Sequence, residues 1–255
     1  MKKILIVGAT HGHEKIGLLI IDELKKQSLT SVEFLVGNPD AAEKDIPFLE
    51  SDLNRVFPGK LDGTYEEKRA FNLSPIIKSA DIVIDIHSTK TTDLGNQSMV
   101  IVTSYNEATQ NILAVFKPPK VLYMRYKANS ALISQAKIGI AFEYGKDDSS
   151  QVFDATLHDI MEILVHADAA KVNPYINPRI PTETEVYEVY DAFQKEFSGD
   201  YTLYPDIQNF TLCQKDAIVC TTASGMNVHA LENFYPILFG NNRYTEILGF
   251  KSRKM

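Results

Sequence analysis

Ile4-Leu5-Ile6-Val7-Gly8-Ala9-Thr10-His11-Gly12-His13-Glu14-Lys15-Ile16-Gly17 is the stretch on which the fold turns. Ile4 to Val7 is apolar without alternation, the pattern of a strand buried on both faces in a parallel sheet. From about Glu14 to Gln27, Ile16, Leu19, Ile20 and Leu24 recur at helical spacing with charges opposite them. Outward from there, Val32 to Val36 reads as a second strand, closed by the turn Gly37-Asn38-Pro39. A long irregular passage rich in Pro, Asp and Gly continues to about Gly63, and a loop of that length is usually functional. Thr64 reads as an N-cap, with Glu66 and Glu67 in the first turn of a helix that bends or ends near Ser74-Pro75.

Ile82 to Ile86, Met99 to Val102, Val121 to Met124 and Ile138 to Phe142 are further strands, with helices over Glu107 to Phe116 and Val152 to Val165. Strands alternating with helices predict an α/β fold, a mostly parallel central sheet flanked by helices. After about Ala170, Pro174, Pro178 and Pro181 break the pattern, Thr182 to Tyr190 alternates, and later segments are short and turn-rich. We therefore expect an α/β domain over 1–170 and a smaller β-rich C-terminal domain over 171–255.

Composition narrows the classes. The chain has 255 residues, 44% of them hydrophobic and 23% charged, which suits a globular fold with a sizeable core. A formal net charge of −7 argues against nucleic acid as a partner. No stretch reaches the roughly 18 consecutive apolar residues of a membrane span. Met1-Lys2-Lys3 imitates a signal peptide, but the apolar run after it soon meets His11, His13 and Glu14. Cys213 and Cys220 are expected to be reduced thiols in a cytoplasmic chain.

The turn after the first strand has two readings. A dinucleotide fingerprint needs glycines at its first, third and sixth places, yet counting from Gly8 these are Gly8, Thr10 and His13. Glu14 also sets negative charge where a phosphate would sit. The other reading makes His11 and Glu14 metal ligands, joined by His87 in Asp85-Ile86-His87-Ser88 at the C-terminal end of a buried strand, where open α/β sheets place their sites. Two histidines and a glutamate leave a fourth position for water, as in a catalytic zinc site.

Four blocks in order carry a resemblance: Gly8 to Glu14, Asp52-Leu53-Asn54-Arg55-Val56-Phe57-Pro58-Gly59, Asp85 to Ser88, and Gly139-Ile140-Ala141-Phe142-Glu143-Tyr144-Gly145. Together they resemble the succinylglutamate desuccinylase/aspartoacylase family, distant relatives of zinc carboxypeptidases. The resemblance implies one zinc ion on His11, Glu14 and His87, with Glu143 as general base in amide hydrolysis. It implies Asn54 and Arg55 gripping the carboxylate of a small-molecule substrate, Asp52 accepting a hydrogen bond from His11, and Tyr244 touching substrate. The substrate would be an N-acyl amino acid or a related small amide; a carboxypeptidase acting on short peptides is the alternative enzyme. A non-catalytic or nucleotide-binding module on the same scaffold is the alternative of another class. The family also implies that the chain can form homo-oligomers.

Two places depart from the family pattern. Pro47 stands where an arginine precedes the Asp-Leu-Asn-Arg block, and a second arginine is missing near Ile133. Arg69 and Arg125 are the candidates to replace them. His13 is expected in the loop beside the ligands, His158 and His166 on a helix, and His229 in a polar turn with no evident partner. The aromatic run from Tyr187 to Phe197 reads as packing.

Overall fold

A computed structural model describes residues 2–89, 98–179, 183–195, 200–240 and 244–255. Pro181, Thr182, Phe197, Asn242 and Arg243 lie outside the described residues. The chain divides into two compact units, 1–122 with 127–184, and 123–126 with 185–255. The proline-bearing stretch 171–179 thus goes with the first unit.

The first unit holds β1 (Ile4–Gly8), α1 (Ile16–Leu24), β2 (Val32–Val36), α2 (Pro39–Lys44), α3 (Tyr65–Ser79) and β3 (Ile82–His87). After these come β4 (Met99–Val102), α4 (Glu107–Phe116), the start of β5 (Lys120–Met124), β6 (Ile138–Glu143) and α5 (Ser150–His166). Strand order is β4-β6-β3-β1-β2, parallel except that β4 runs antiparallel to β6. β1, β3 and all but the last residue of β6 are buried, as unalternated apolar runs require.

Register sorts the side chains onto two faces, because paired residues in a parallel ladder leave the sheet on the same side. Leu5 and Val7 pair with Val83 and Asp85, and Val83 and Asp85 pair with Gly139 and Ala141. Leu5, Val7, Val83 and Ala141 build one core with Leu53, Phe57, Leu73 and Ile77, so α3 and the Asp52 loop cover this face. His87 and Glu143, two positions beyond Asp85 and Ala141, emerge on that same face.

Two expectations change. The passage to Gly63 contains the six-residue helix α2, whose Ala41 is buried. The helix after Thr64 neither stops nor breaks at Pro75 but runs to Ser79, with Leu73 and Ile77 anchored in the core on either side. Pro75 and Phe71 lie on its exposed side, where water can serve the carbonyl that loses its N–H partner. Its start is as read: Thr64 accepts from Glu67 N while Glu67 accepts from Thr64 N, a capping box.

The second unit is antiparallel. β7 (Glu185–Gln194), β12 (Ile247–Lys254) and β11 (Tyr235–Ile237) form one ladder; β8 (Tyr201–Leu203), β9 (Ile218–Thr222) and β10 (Asn227–His229) form another. Tyr187 packs on Phe210 and Tyr235, and Phe193 on Phe234 and Phe239, at ring separations of 5.3 to 5.9 Å. His229 does have a partner, its Nδ1 lying 2.9 Å from the carbonyl oxygen of Asp216. Among the described residues no helix is long and apolar enough to cross a membrane.

Cys213 and Cys220 are both free and buried in this unit, and burial pushes the Cys220 thiol up to about 11. A thiol with so little thiolate near neutral pH is a poor nucleophile. Neither cysteine is therefore expected to react with a disulfide reagent at pH 8 in the folded protein, while both react once the chain is denatured. Rapid release of two equivalents from the native protein would contradict this.

Candidate metal centre

The turn between β1 and α1 is short because strand end and helix start lie against each other. A Cβ on Gly8 would sit 2.7 Å from the Gly17 carbonyl carbon, so only glycine permits this approach. A Cβ on Gly12 would sit 2.2 Å from the backbone of Ala41, which brings α2 against the same turn. Lys15 ties the two together, donating to the carbonyls of Gly12 and Ala42 and pairing with Asp45 at 2.9 to 3.0 Å. The α1 N-terminus is caught by Asp147, which accepts from Ile16 N at 2.9 Å.

Within that frame His11, Glu14 and His87 converge, each offering a ligand atom within 4.8 Å of the others. His11 Nδ1 lies 3.1 Å from Glu14 Oε1, and His87 Nδ1 lies 2.9 Å from Glu14 Oε2. The far nitrogen of each ring meets an aspartate: His11 Nε2 is 3.0 Å from Asp52 Oδ1, and His87 Nε2 is 2.8 Å from Asp85 Oδ2. Asp85 is itself held by Thr10, whose hydroxyl donates to Oδ1 at 2.7 Å. Glu14, Asp85 and His87 are buried.

Three carboxylates around two imidazoles set the charge. Burial alone would depress His11, but hydrogen bonds to Asp52 and Glu14 outweigh it and raise His11 to about 9. His87 is raised well above the ordinary histidine value, the charges of Asp85 and Glu14 overcoming its burial. Glu14 is held far below the carboxylate range by His87 and His11 in spite of burial. The pocket therefore demands positive charge, supplied by imidazolium protons or by a cation in their place. Two imidazole nitrogens and a carboxylate oxygen suit zinc, and an aspartate behind each ring holds the tautomer that turns Nδ1 inward. The residues present fit one zinc ion.

Glu143 ends β6 half-buried, paired in the ladder with His87 on one side and Met99 on the other. The chain just beyond it is pinned: Ser98 Oγ donates to the Tyr144 carbonyl at 2.8 Å and Thr89 N to that of Gly145 at 2.7 Å. Asp52 caps the short turn Leu53–Arg55 by accepting from Asn54 N at 2.8 Å. Asn54 spends its Oδ1 on Leu132 N, whereas Arg55 is exposed and its guanidinium donates, among the described residues, only to the Asn54 carbonyl. Tyr244 belongs to the second unit, its ring edge against Phe250 at 5.6 Å and its carbonyl accepting from Lys195.

The two arginines considered as replacements have other employment. Arg69 donates to the carbonyls of Val36 and Gly37, and Arg125 pairs with Glu188 within the second unit. Pro47 contributes only its carbonyl, which accepts from Gly12 N at 3.2 Å, and Ile133 is core. Asp85 and Thr10 are residues of this centre whose part no motif in the sequence marks. The available signal was a lone acid inside the apolar run Ile82–Ile86, where an unpaired charge would be costly.

Known proteins resemble this chain to differing depth. A "Probable aspartoacylase" of Acaryochloris marina is 27% identical over 238 residues, covering 82% of this chain and 79% of that one. An "N-acyl-aromatic-L-amino acid amidohydrolase (carboxylate-forming)" of Xenopus laevis is 32% identical over 113 residues, 37% of this chain and 36% of that one. The crystal structure of murine aminoacylase 3 superposes with a TM-score of 0.79 at 20% identity, covering all of this chain and 95% of that one, which establishes a common fold. Residues 1–169 match the succinylglutamate desuccinylase/aspartoacylase catalytic domain, and the chain belongs to that family.

Proposed function

We propose that the protein is a zinc-dependent hydrolase that cleaves the amide bond of an N-acyl amino acid or a related small carboxylate-bearing amide. The convergence of His11, Glu14 and His87, with an aspartate behind each imidazole, is the observation that carries the reading. Family membership, and relatives whose names describe aspartoacylases and N-acyl amino acid amidohydrolases, support an amide-cleaving enzyme. His11, Glu14 and His87 would hold the zinc, which when bound polarises a carbonyl and acidifies water.

The chain's own groups supply the rest. Glu143, on the His87 face, accepts the proton of the attacking water and returns it to the leaving nitrogen. Arg55 meets the substrate carboxylate with its exposed planar fork, and the Asn54 amide nitrogen adds a donor beside it. Arg69 is bound to backbone carbonyls and Pro47 stands in the family arginine's place, so neither position offers a free guanidinium for the oxyanion.

The test is a hydrolysis screen of N-acyl amino acids against dipeptides with the wild-type protein, before and after chelation. Hydrolysis of N-acyl amino acids is expected, to be lost on removing metal and restored by zinc. A protein that holds stoichiometric zinc yet cleaves no N-acyl amino acid overturns the reading, and cleavage of dipeptides alone assigns the carboxypeptidase alternative.

A further inference from the structure

Glu66 lies in the first turn of α3, where an acidic residue ordinarily does no more than face the positive end of a helix in solvent. Here it is completely buried. Its carboxylate takes three successive backbone N–H groups, from Leu49 at 2.6 Å, Glu50 at 3.1 Å and Ser51 at 3.0 Å, and a fourth donor from Asn38 Nδ2 at 3.1 Å. Burial pushes this carboxyl up, and the four donors bring it below its ordinary value, so it is charged at neutral pH. A buried carboxylate held by four uncharged N–H donors, three of them backbone, is an expensive way to close a loop.

Immediately after the three donor residues stands Asp52, the acceptor for both Asn54 N and His11 Nε2. The other end of the same stretch meets the metal turn, Pro47 accepting from Gly12 N, and Ser51 Oγ lies 2.9 Å from Thr64 Oγ1 at the helix cap. Residues 47–52 are therefore clamped between α3 and the His11 turn, with Glu66 as the clamp. Asp52 can keep the proton on His11 Nε2, and so Nδ1 free to bind metal, only while this stretch holds its place.

We infer that Glu66 is a positioning residue for the metal centre, acting through residues 49–51 to hold Asp52 against His11. The inference rests on the zinc-site reading of His11, Glu14 and His87.

The experiment is competition of zinc against a chromogenic chelator in the wild type, Glu66→Gln, Asp52→Asn and the double variant, with thermal melts alongside. Glutamine keeps the volume and one acceptor. Each single change is expected to weaken zinc about 10- to 100-fold, the usual effect of losing a partner behind a ligand. The double variant should bind about as weakly as Asp52→Asn alone, because both act through one contact. Unchanged zinc affinity in Glu66→Gln, or losses that multiply in the double variant, overturns the inference.

Hydrogen exchange on the wild type gives a second measure should Glu66→Gln not fold. By reciprocity, zinc should slow exchange of the Leu49, Glu50 and Ser51 amides. Equal protection with and without zinc also overturns the inference. A wild-type chain that binds no zinc removes the metal-site reading itself, an outcome distinct from tight wild-type binding that Glu66→Gln leaves intact.

Discussion

Glu143→Gln is expected to lower turnover about 100- to 10,000-fold, the range that a positioned general acid–base contributes, while leaving bound zinc unchanged. Glutamine matches glutamate in shape but cannot take a proton from water and pass it to a departing nitrogen. The change should therefore fall on kcat rather than on substrate affinity. Packing supports a clean result: Glu143 ends a strand whose register with His87 is set by six paired residues, and the backbone after it is held by Ser98 and Thr89. His87→Ala is the contrast. It removes a proposed ligand that is 3% exposed and hydrogen-bonded on both ring nitrogens, and zinc and turnover should disappear together. Metal analysis beside steady-state kinetics distinguishes the two variants. Undiminished turnover in Glu143→Gln would remove Glu143 from the mechanism, and retained zinc in His87→Ala would remove His87 from the ligand set.

These residues were legible to unequal degrees. Unalternated apolar runs betray burial on both faces, so β1, β3 and β6 stood out, and a histidine and glutamate at the mouths of such strands had to be explained. Apolar period reports burial and not partners, however. It could not show that β4 runs antiparallel to β6. Nor could it show α2, a six-residue helix settled against a turn where Gly12 leaves space for Ala41. Glu66 fits the pattern of a helix-start acid so well that its burial had no local sign; its donors lie 15 to 17 residues earlier in the chain, and in Asn38. The blocks around His11, Asp52, His87 and Glu143 were readable as motifs. The family resemblance supplied the Asp52 partner of His11, 41 residues away, whereas the Asp85 partner of His87, two residues away on the same strand, had no such guide.

Behind the candidate base, on the opposite face of β6, Arg179→Ala is expected to destabilise the protein by about 3–5 kcal/mol, the cost of leaving a buried charge without its partner. That charge is Asp159 on α5, which has no exposed surface. One of its oxygens accepts from both Arg179 Nη2 and the Tyr144 hydroxyl at 2.5 Å, and the other lies 3.0 Å from His158 Nδ1. Arg179 also lies over the Tyr144 ring, 5.4 Å from its centroid, and donates to the Phe116 carbonyl at the end of α4. One guanidinium thus joins the 171–179 stretch to α4, α5 and the residue following Glu143. For a chain of this size the loss corresponds to a fall in Tm of roughly 6–20 °C. The pair is not itself a large net gain, because both charges were taken out of water to make it. Replacing both partners with apolar residues, Asp159→Leu with Arg179→Met, should therefore recover much of what Arg179→Ala loses. Tyr144→Phe, which removes one donor and leaves the ion pair, should cost less, about 1.5–3 kcal/mol. Denaturant unfolding of the three variants orders them. A loss below about 1 kcal/mol in Arg179→Ala, the scale of an exposed pair, would mean that water reaches Asp159 and that the network does not anchor the end of β6.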